Sequence, residues 1–132
     1  MGEVLVTPDV EAAAVTYLRT GLGYLAAKVS TAVPSTMPAS MVRVSLTGGS
    51  RRNVASDAAQ LTVECWAPDG PTASNLARRA QALMFAAAGS VVAGVFVRRV
   101  ESVGGVQSLP DPDTNKPRYQ FTVRWFVRAS AI

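Results

Sequence analysis

The chain predicts an α+β fold: a mainly antiparallel sheet with two helices packed on one face, in the order α-β-β-β-α-β-β. Three observations carry this expectation. Two segments, 7–22 and about 72–88, repeat apolar residues at helical spacing. Five other segments are short and β-rich, and most alternate apolar and polar residues with a period of two. The links between them are mostly of hairpin length, which mixes strands and helices without a parallel crossover pattern.

The first helix is read over 7–22. Thr7 suits the N-cap, Pro8 the first helical position, and Asp9 and Glu11 the positive end of the helix dipole. Val10, Ala14, Leu18 and Leu22, flanked by Tyr17 and Leu25, form its apolar stripe, and Gly21 and Gly23 are read as its end. Lys28 to Val33 is a short strand stopped by Pro34, and Ser35 to Ser40 is a loop. Val42, Val44 and Leu46 alternate with Arg43, Ser45 and Thr47. Ala59, Leu61, Val63 and Cys65 alternate with Gln60, Thr62, Glu64 and Trp66. These two strands predict a long hairpin whose polar loop, Gly48 to Asp57, carries Arg51 and Arg52 at its tip.

Pro68-Asp69-Gly70-Pro71 is a turn into the second helix. Leu76, Ala80, Leu83, Met84 and Ala87 form the apolar stripe of that helix, and Arg78 and Arg79 point away. Val95 to Val103 is a strand whose alternation slips at Arg98-Arg99, the mark of a bulge. Gly104 to Arg118 reads as a long loop with three prolines. In the last strand, Tyr119, Phe121, Val123, Trp125 and Val127 alternate with Gln120, Thr122, Arg124 and Arg128. Trp125 and Phe126 lie back to back, so both faces of this strand carry a large aromatic; one fills the core and the other needs a cover, from the chain itself or from a neighbour.

The 132 residues make one domain, read over 1–132, and 48% hydrophobic against 17% charged residues indicates a packed core rather than disorder. The longest apolar stretch, Ala82 to Phe96, is broken by Gly89, Ser90 and Gly94 and is shorter than the roughly 20 residues of a membrane span. The start, Met-Gly-Glu-Val, has no basic region before an apolar run, so no signal peptide and no membrane partner are expected. The net charge is +4, and all but two of the 13 basic residues are Arg. They are spread as Arg51-Arg52, Arg78-Arg79, Arg98-Arg99 and Arg124/Arg128. That pattern suits solvated surface or subunit interfaces better than one continuous nucleic-acid stripe.

Chemistry-bearing motifs are scarce. The sequence has no histidine, which removes Ser-His-Asp and Cys-His catalysis and most zinc sites. It has no phosphate-binding glycine loop. Cys65, the one cysteine, falls on the apolar parity of its strand and reads as core. Asp111-Pro-Asp113-Thr-Asn115 loosely resembles an oxygen-rich calcium loop, but it lacks the glycine and terminal glutamate of one and reads better as a series of Asx and proline turns. No catalytic residue, cofactor or metal is expected, and the chain reads as a protein that is not an enzyme.

Two segments resemble a known family. Leu61 to Met84 (LTVECWAPDGPTASNLARRAQALM) is a strand ending in Cys-Trp-Ala, a short acidic turn and an Ala/Arg helix. Leu109 to Arg128 (LPDPDTNKPRYQFTVRWFVR) is a proline-rich loop followed by an Arg-Tyr-Gln-Phe strand. Together they resemble the tail-terminator, or tail-completion, proteins of long-tailed actinobacterial phages, with agreement in element order over roughly 3–130. The resemblance implies a homo-oligomeric ring, typically a hexamer, that caps the tail tube, ends its polymerisation and joins the tail to the head-side connector. Its partners would be the tail-tube protein and the connector, with DNA as cargo through the lumen. It would sit in the virion at the head-proximal end of the tail, and in the host cytoplasm during assembly. Another neck protein (head completion or stopper), a tail-tube relative, or a basic nucleic-acid-binding module are the competing readings. The candidate partner or subunit interface comprises Arg51, Arg52, Arg78, Arg79, Arg124, Trp125, Phe126 and Arg128.

Overall fold

A computed structural model of the chain describes residues 4–53 and 56–131. The first three residues, on which the expectation of no signal peptide rests, and residues 54 and 55 of the expected 48–57 loop lie outside the described residues. In chain order the elements are β1 (Leu5–Val6), α1 (Val10–Leu22), β2 (Lys28–Ser30), β3 (Met41–Asn53), β4 (Ser56–Trp66), α2 (Gly70–Ala86), β5 (Ser90–Val92), β6 (Val95–Ser108), β7 (Arg118–Arg128) and β8 (Ser130–Ala131). The α+β class stands, with both helices on one face of a mainly antiparallel sheet. The strand order is β2-β3-β4-β7-β6-β5; β2 pairs parallel with β3, and β1 and β8 form a separate two-stranded ribbon.

Several boundaries differ from the sequence reading, each for a local reason. Helix α1 starts at Val10 because Asp9, not Thr7, is its N-cap: the Asp9 carboxylate accepts the Ala12 N–H at 3.0 Å. Thr7 instead donates its hydroxyl to Asp57 at 3.3 Å. Gly21 does not stop α1. It lies inside the helix where α2 crosses, and a Cβ there would come within 2.6 Å of Leu83. Helix α2 begins two residues earlier than expected, capped by the Asp69 carboxylate on the Thr72 N–H at 2.8 Å. The expected polar loop 48–57 is mostly strand. Gly48 and Gly49 take positive φ (140° and 117°) at a register shift between Leu46 and Gly48, and the ladder then continues to Asn53↔Ser56. The 104–118 loop is likewise shorter, because β6 runs on to Ser108. The slip at Arg98-Arg99 is a register shift between Val97 and Arg99, as the broken alternation predicted.

The core lies between the helices and one sheet face. Strand β4 pairs with β7 without a shift from Ser56↔Arg128 to Trp66↔Arg118. Odd-numbered residues of both strands therefore point to the helices: Leu61, Val63, Cys65, Phe121, Val123, Trp125 and Val127 are all fully buried. Helix α1 adds Val10, Ala14, Leu18 and Leu22, and α2 adds Ala73, Leu76, Ala77, Ala80 and Met84. The alanines let α2 sit close to the sheet. Trp125 fills the space beneath both helices. Its indole N–H donates to the Met84 carbonyl at 3.1 Å, and its ring meets Tyr17 edge-on at 6.2 Å. Tyr17 in turn donates to the Leu83 carbonyl at 2.6 Å, tying α1 to α2.

Truncating Trp125→Ala is expected to cost about 3–5 kcal/mol by cavity formation and loss of its buried bond, read from urea unfolding. An unchanged midpoint would show that the ring does not anchor the helices. Gly49→Ala should cost about 2 kcal/mol or more, since its Cβ would lie 1.9 Å from the Ala58 carbonyl at a left-handed φ. Gly48, with open space around its Cβ position, should suffer only the φ strain. Equal losses at the two glycines would refute the close-approach argument.

Candidate functional interface

The other face of the sheet carries no helix. Its cross-strand rows follow from the same register. Arg43, Glu64, Gln120 and Gln107 form one row, Ser45, Thr62, Thr122 and Gly104 the next, and Gln60, Arg124 and Glu101 a third. Hydroxyls bridge the strands here: Thr47 to Thr62 at 3.1 Å and Thr62 to Thr122 at 3.0 Å. The middle rows are polar and half-buried, and the buried apolar side chains of this face, Met41, Ala58, Trp66 and Phe126, lie toward its two ends.

Each end of the face carries a large aromatic held under guanidinium groups. At one end Trp66 is 2% exposed, with Arg43 and Arg118 6.0 and 5.6 Å from its ring centre. Both arginines bond Glu64, at 2.5 and 3.0 Å, and Glu64 is itself buried. The Trp66 indole N–H donates to Asp111 at 2.9 Å. The other Asp111 oxygen accepts the N–H groups of Asp113 and Thr114, so this carboxylate folds the proline-rich loop and fastens it to the sheet. The Asp113 N–H, then the Trp66 indole, hold the Asp111 carboxyl below the usual carboxylate range. A carboxyl pKa depressed by folding stabilises the fold above its unfolded value, and that contribution fades as pH falls through the folded value. A groove of about 420 Å³ lies beside this end, between Val33, Pro34, Met37, Trp66 and Asp111.

At the opposite end the aromatics are Phe126 and Phe96. Arg99 lies 3.9 Å and Arg52 5.1 Å from the Phe126 ring centre, and Arg128 lies 4.7 Å from that of Phe96. Arg98, at the bulge, donates to the Ser56 hydroxyl at 2.8 Å. Arg99 and Arg124 share Glu101, at 2.5 and 3.8 Å. Five guanidinium groups from three strands thus lie at this end of the face, and two of them, Arg99 and Arg124, are paired with a carboxylate.

The eight residues expected at an interface do not form one site. Arg52, Arg124, Phe126 and Arg128 meet on this end of the open face. Arg51 pairs across from Asp57 on the opposite parity and donates to the Leu5 carbonyl at 2.9 Å. Arg78 and Arg79 are exposed on α2, on the helix layer. Trp125 has to be corrected: it is fully buried beneath the helices and presents nothing to a partner. Phe126 is 4% exposed and finds its cover within the chain, under Arg99 and Arg52. The sequence reading passed over Arg98 and Arg99 as site residues, although the broken alternation there marked a bulge that turns both outward.

Cys65 is buried in the core, and burial, then the Glu64 charge beside it, push its thiol far up, away from nucleophilic chemistry. Among the described residues, no cluster of acidic, histidine or cysteine side chains is arranged to hold a metal ion, and no helix is long and apolar enough to cross a membrane. No protein-family model and no curated protein matches the chain.

Glu64→Gln should cost about 2 kcal/mol, because it leaves Arg43 and Arg118 without their buried counter-charge. Glu101→Gln, on an exposed pair, should change stability by at most about 0.5 kcal/mol. Chemical denaturation of both variants checks this contrast; equal effects would mean that Glu64 is not the electrostatic centre of the Trp66 end.

Proposed function

We propose that this chain is a structural phage-assembly protein of the tail-terminator kind. It is a subunit that closes into a ring, caps the tail tube, ends its growth and offers its other side to the head connector. The observation that carries this reading is the pair of open strand edges at the two ends of the sheet. Strand β2 covers only Met41–Arg43 of β3, and β5 only Val95–Val97 of β6. Residues 44–53 of β3 and 98–108 of β6 therefore have no outer strand neighbour among the described residues. Open edges are templates for pairing with another chain. Two different edges, one at each end of a sheet, suit a head-to-tail contact between identical subunits, and such a contact closes into a ring when its rotation permits.

The two segments that carry the family resemblance also belong together in space. Leu61 to Met84 spans most of β4, the acidic turn and nearly all of α2. Leu109 to Arg128 spans the loop fastened to Trp66 and all of β7, the direct neighbour of β4. The resemblance therefore rests on one contiguous centre of the molecule. In this reading the protein is not an enzyme, its site of action is the head-proximal end of the tail in the virion, and DNA passes through the ring as cargo.

Light scattering, first on the protein alone and then with the tail-tube protein of the same phage, tests the reading. A ring-sized mass, or a monomer that shortens the tubes, is the expected result. A monomer without effect on tube length would overturn it in favour of a head-side neck protein.

A further inference from the structure

The acidic groups of the described residues are almost all engaged internally. Asp9 and Asp69 cap the two helices, and Glu11 accepts the Leu46 N–H at 2.6 Å. Asp57 accepts from Thr7, Glu64 holds Arg43 and Arg118, Glu101 holds Arg99 and Arg124, and Asp111 folds its loop. Asp113 alone among the described carboxylates makes no side-chain bond. The arginines show the reverse. Arg52, Arg98 and Arg128 have no carboxylate partner among the described residues, and all three are exposed on the same end of the open sheet face.

We propose that this arginine-rich end of the open face docks an acidic surface of a partner protein other than a second copy of this chain. Among the described residues a second copy offers one carboxylate without a bond of its own, Asp113, too few to answer the patch. The guanidinium groups of Arg52, Arg99 and Arg128 lie 5.1, 3.9 and 4.7 Å from phenylalanine ring centres, and a guanidinium so placed matches a carboxylate by bidentate contact. Nucleic acid fits less well. Duplex DNA presents an unbroken rail of phosphates, whereas this positive patch stops at Glu101 and a neutral ladder of Thr and Gln. Phe126 is covered, so it offers no platform for stacking a base. The proposal does not rest on the tail reading: a chain that failed to form a ring or cap a tube would keep this surface.

The test is fluorescence anisotropy at low ionic strength with two probes, a labelled oligoglutamate peptide and a labelled DNA duplex. It compares the intact protein with Arg52→Ala/Arg128→Ala, and with Arg78→Ala/Arg79→Ala, which removes the same charge from the helix layer. Melting curves accompany both. Should the alanine pair lose stability, Arg52→Gln/Arg128→Gln keeps the side-chain stems over the rings and replaces it. The expected result is oligoglutamate binding weakened about tenfold by the patch pair and less than about twofold by the α2 pair, the scale of a few exposed ion pairs. Equal losses in both pairs would reduce the effect to net charge and overturn the proposal. So would absence of peptide binding, or tighter binding of the duplex with loss in the patch pair, which would assign the face to nucleic acid.

Discussion

The unshifted register between β4 and β7 organises the molecule. Eleven consecutive pairs, Ser56↔Arg128 through Trp66↔Arg118, run without a bulge at the middle of the sheet. Side chains of a strand alternate, so this single alignment decides which residues of both strands meet the helices. It sends Leu61, Val63, Phe121, Val123 and Trp125 inward, and Thr62, Glu64, Thr122 and Arg124 outward. A slip of one residue would bury the Thr and Arg rows beneath α1 and α2 and expose two of the largest core rings. The bulges needed to bend the sheet are therefore confined to the flanking pairs, β3 with β4 and β6 with β7.

Because the outward face carries no second layer, its charges have to be arranged within one plane. The two ends use the same device, an aromatic ring under guanidinium groups, but close it differently. Around Trp66 the positive charge is answered by Glu64, and the loop bonded through Asp111 completes the cover. Around Phe126 and Phe96 the one paired carboxylate among the described residues is Glu101. The first end is a finished structural joint; the second keeps an electrostatic surplus. The asymmetry gives the face a direction along its strands, which a symmetric polar sheet would lack.

The long elements were legible in the sequence because period and parity repeat often enough to be read. The stripe of α1, the stripe of α2 and the alternation of β4 and β7 all placed their residues on the correct side. The misreadings share a cause: local chemistry with two plausible outcomes. Thr7 and Asp9 are both good caps, and the bond to Ala12 selects Asp9. Gly48-Gly49 and Gly104-Gly105 suggest turns, but both pairs lie within strands, at or beside register shifts. Strands β1, β5 and β8, of two or three residues each, are too short to show any period. The candidate interface was half legible. Arginine pairs are visible in a sequence, whereas their union across β3, β6 and β7 is a product of register.

Strand β7 follows every other long element in chain order, yet it lies between β4 and β6 at the centre of the sheet. Its pairing with β4 closes a loop that contains all of α2, β5 and β6. Contacts so distant along the chain are slow to form, because their closure entropy is lost before burial compensates for it. During synthesis β4 lacks its neighbour at the middle of the sheet, and α2 part of the face it packs on, until β7 emerges. Leu61, Val63 and Met84 stay accessible to water and to other nascent chains for that interval, so the vulnerable species in the life of this protein is the nearly complete chain.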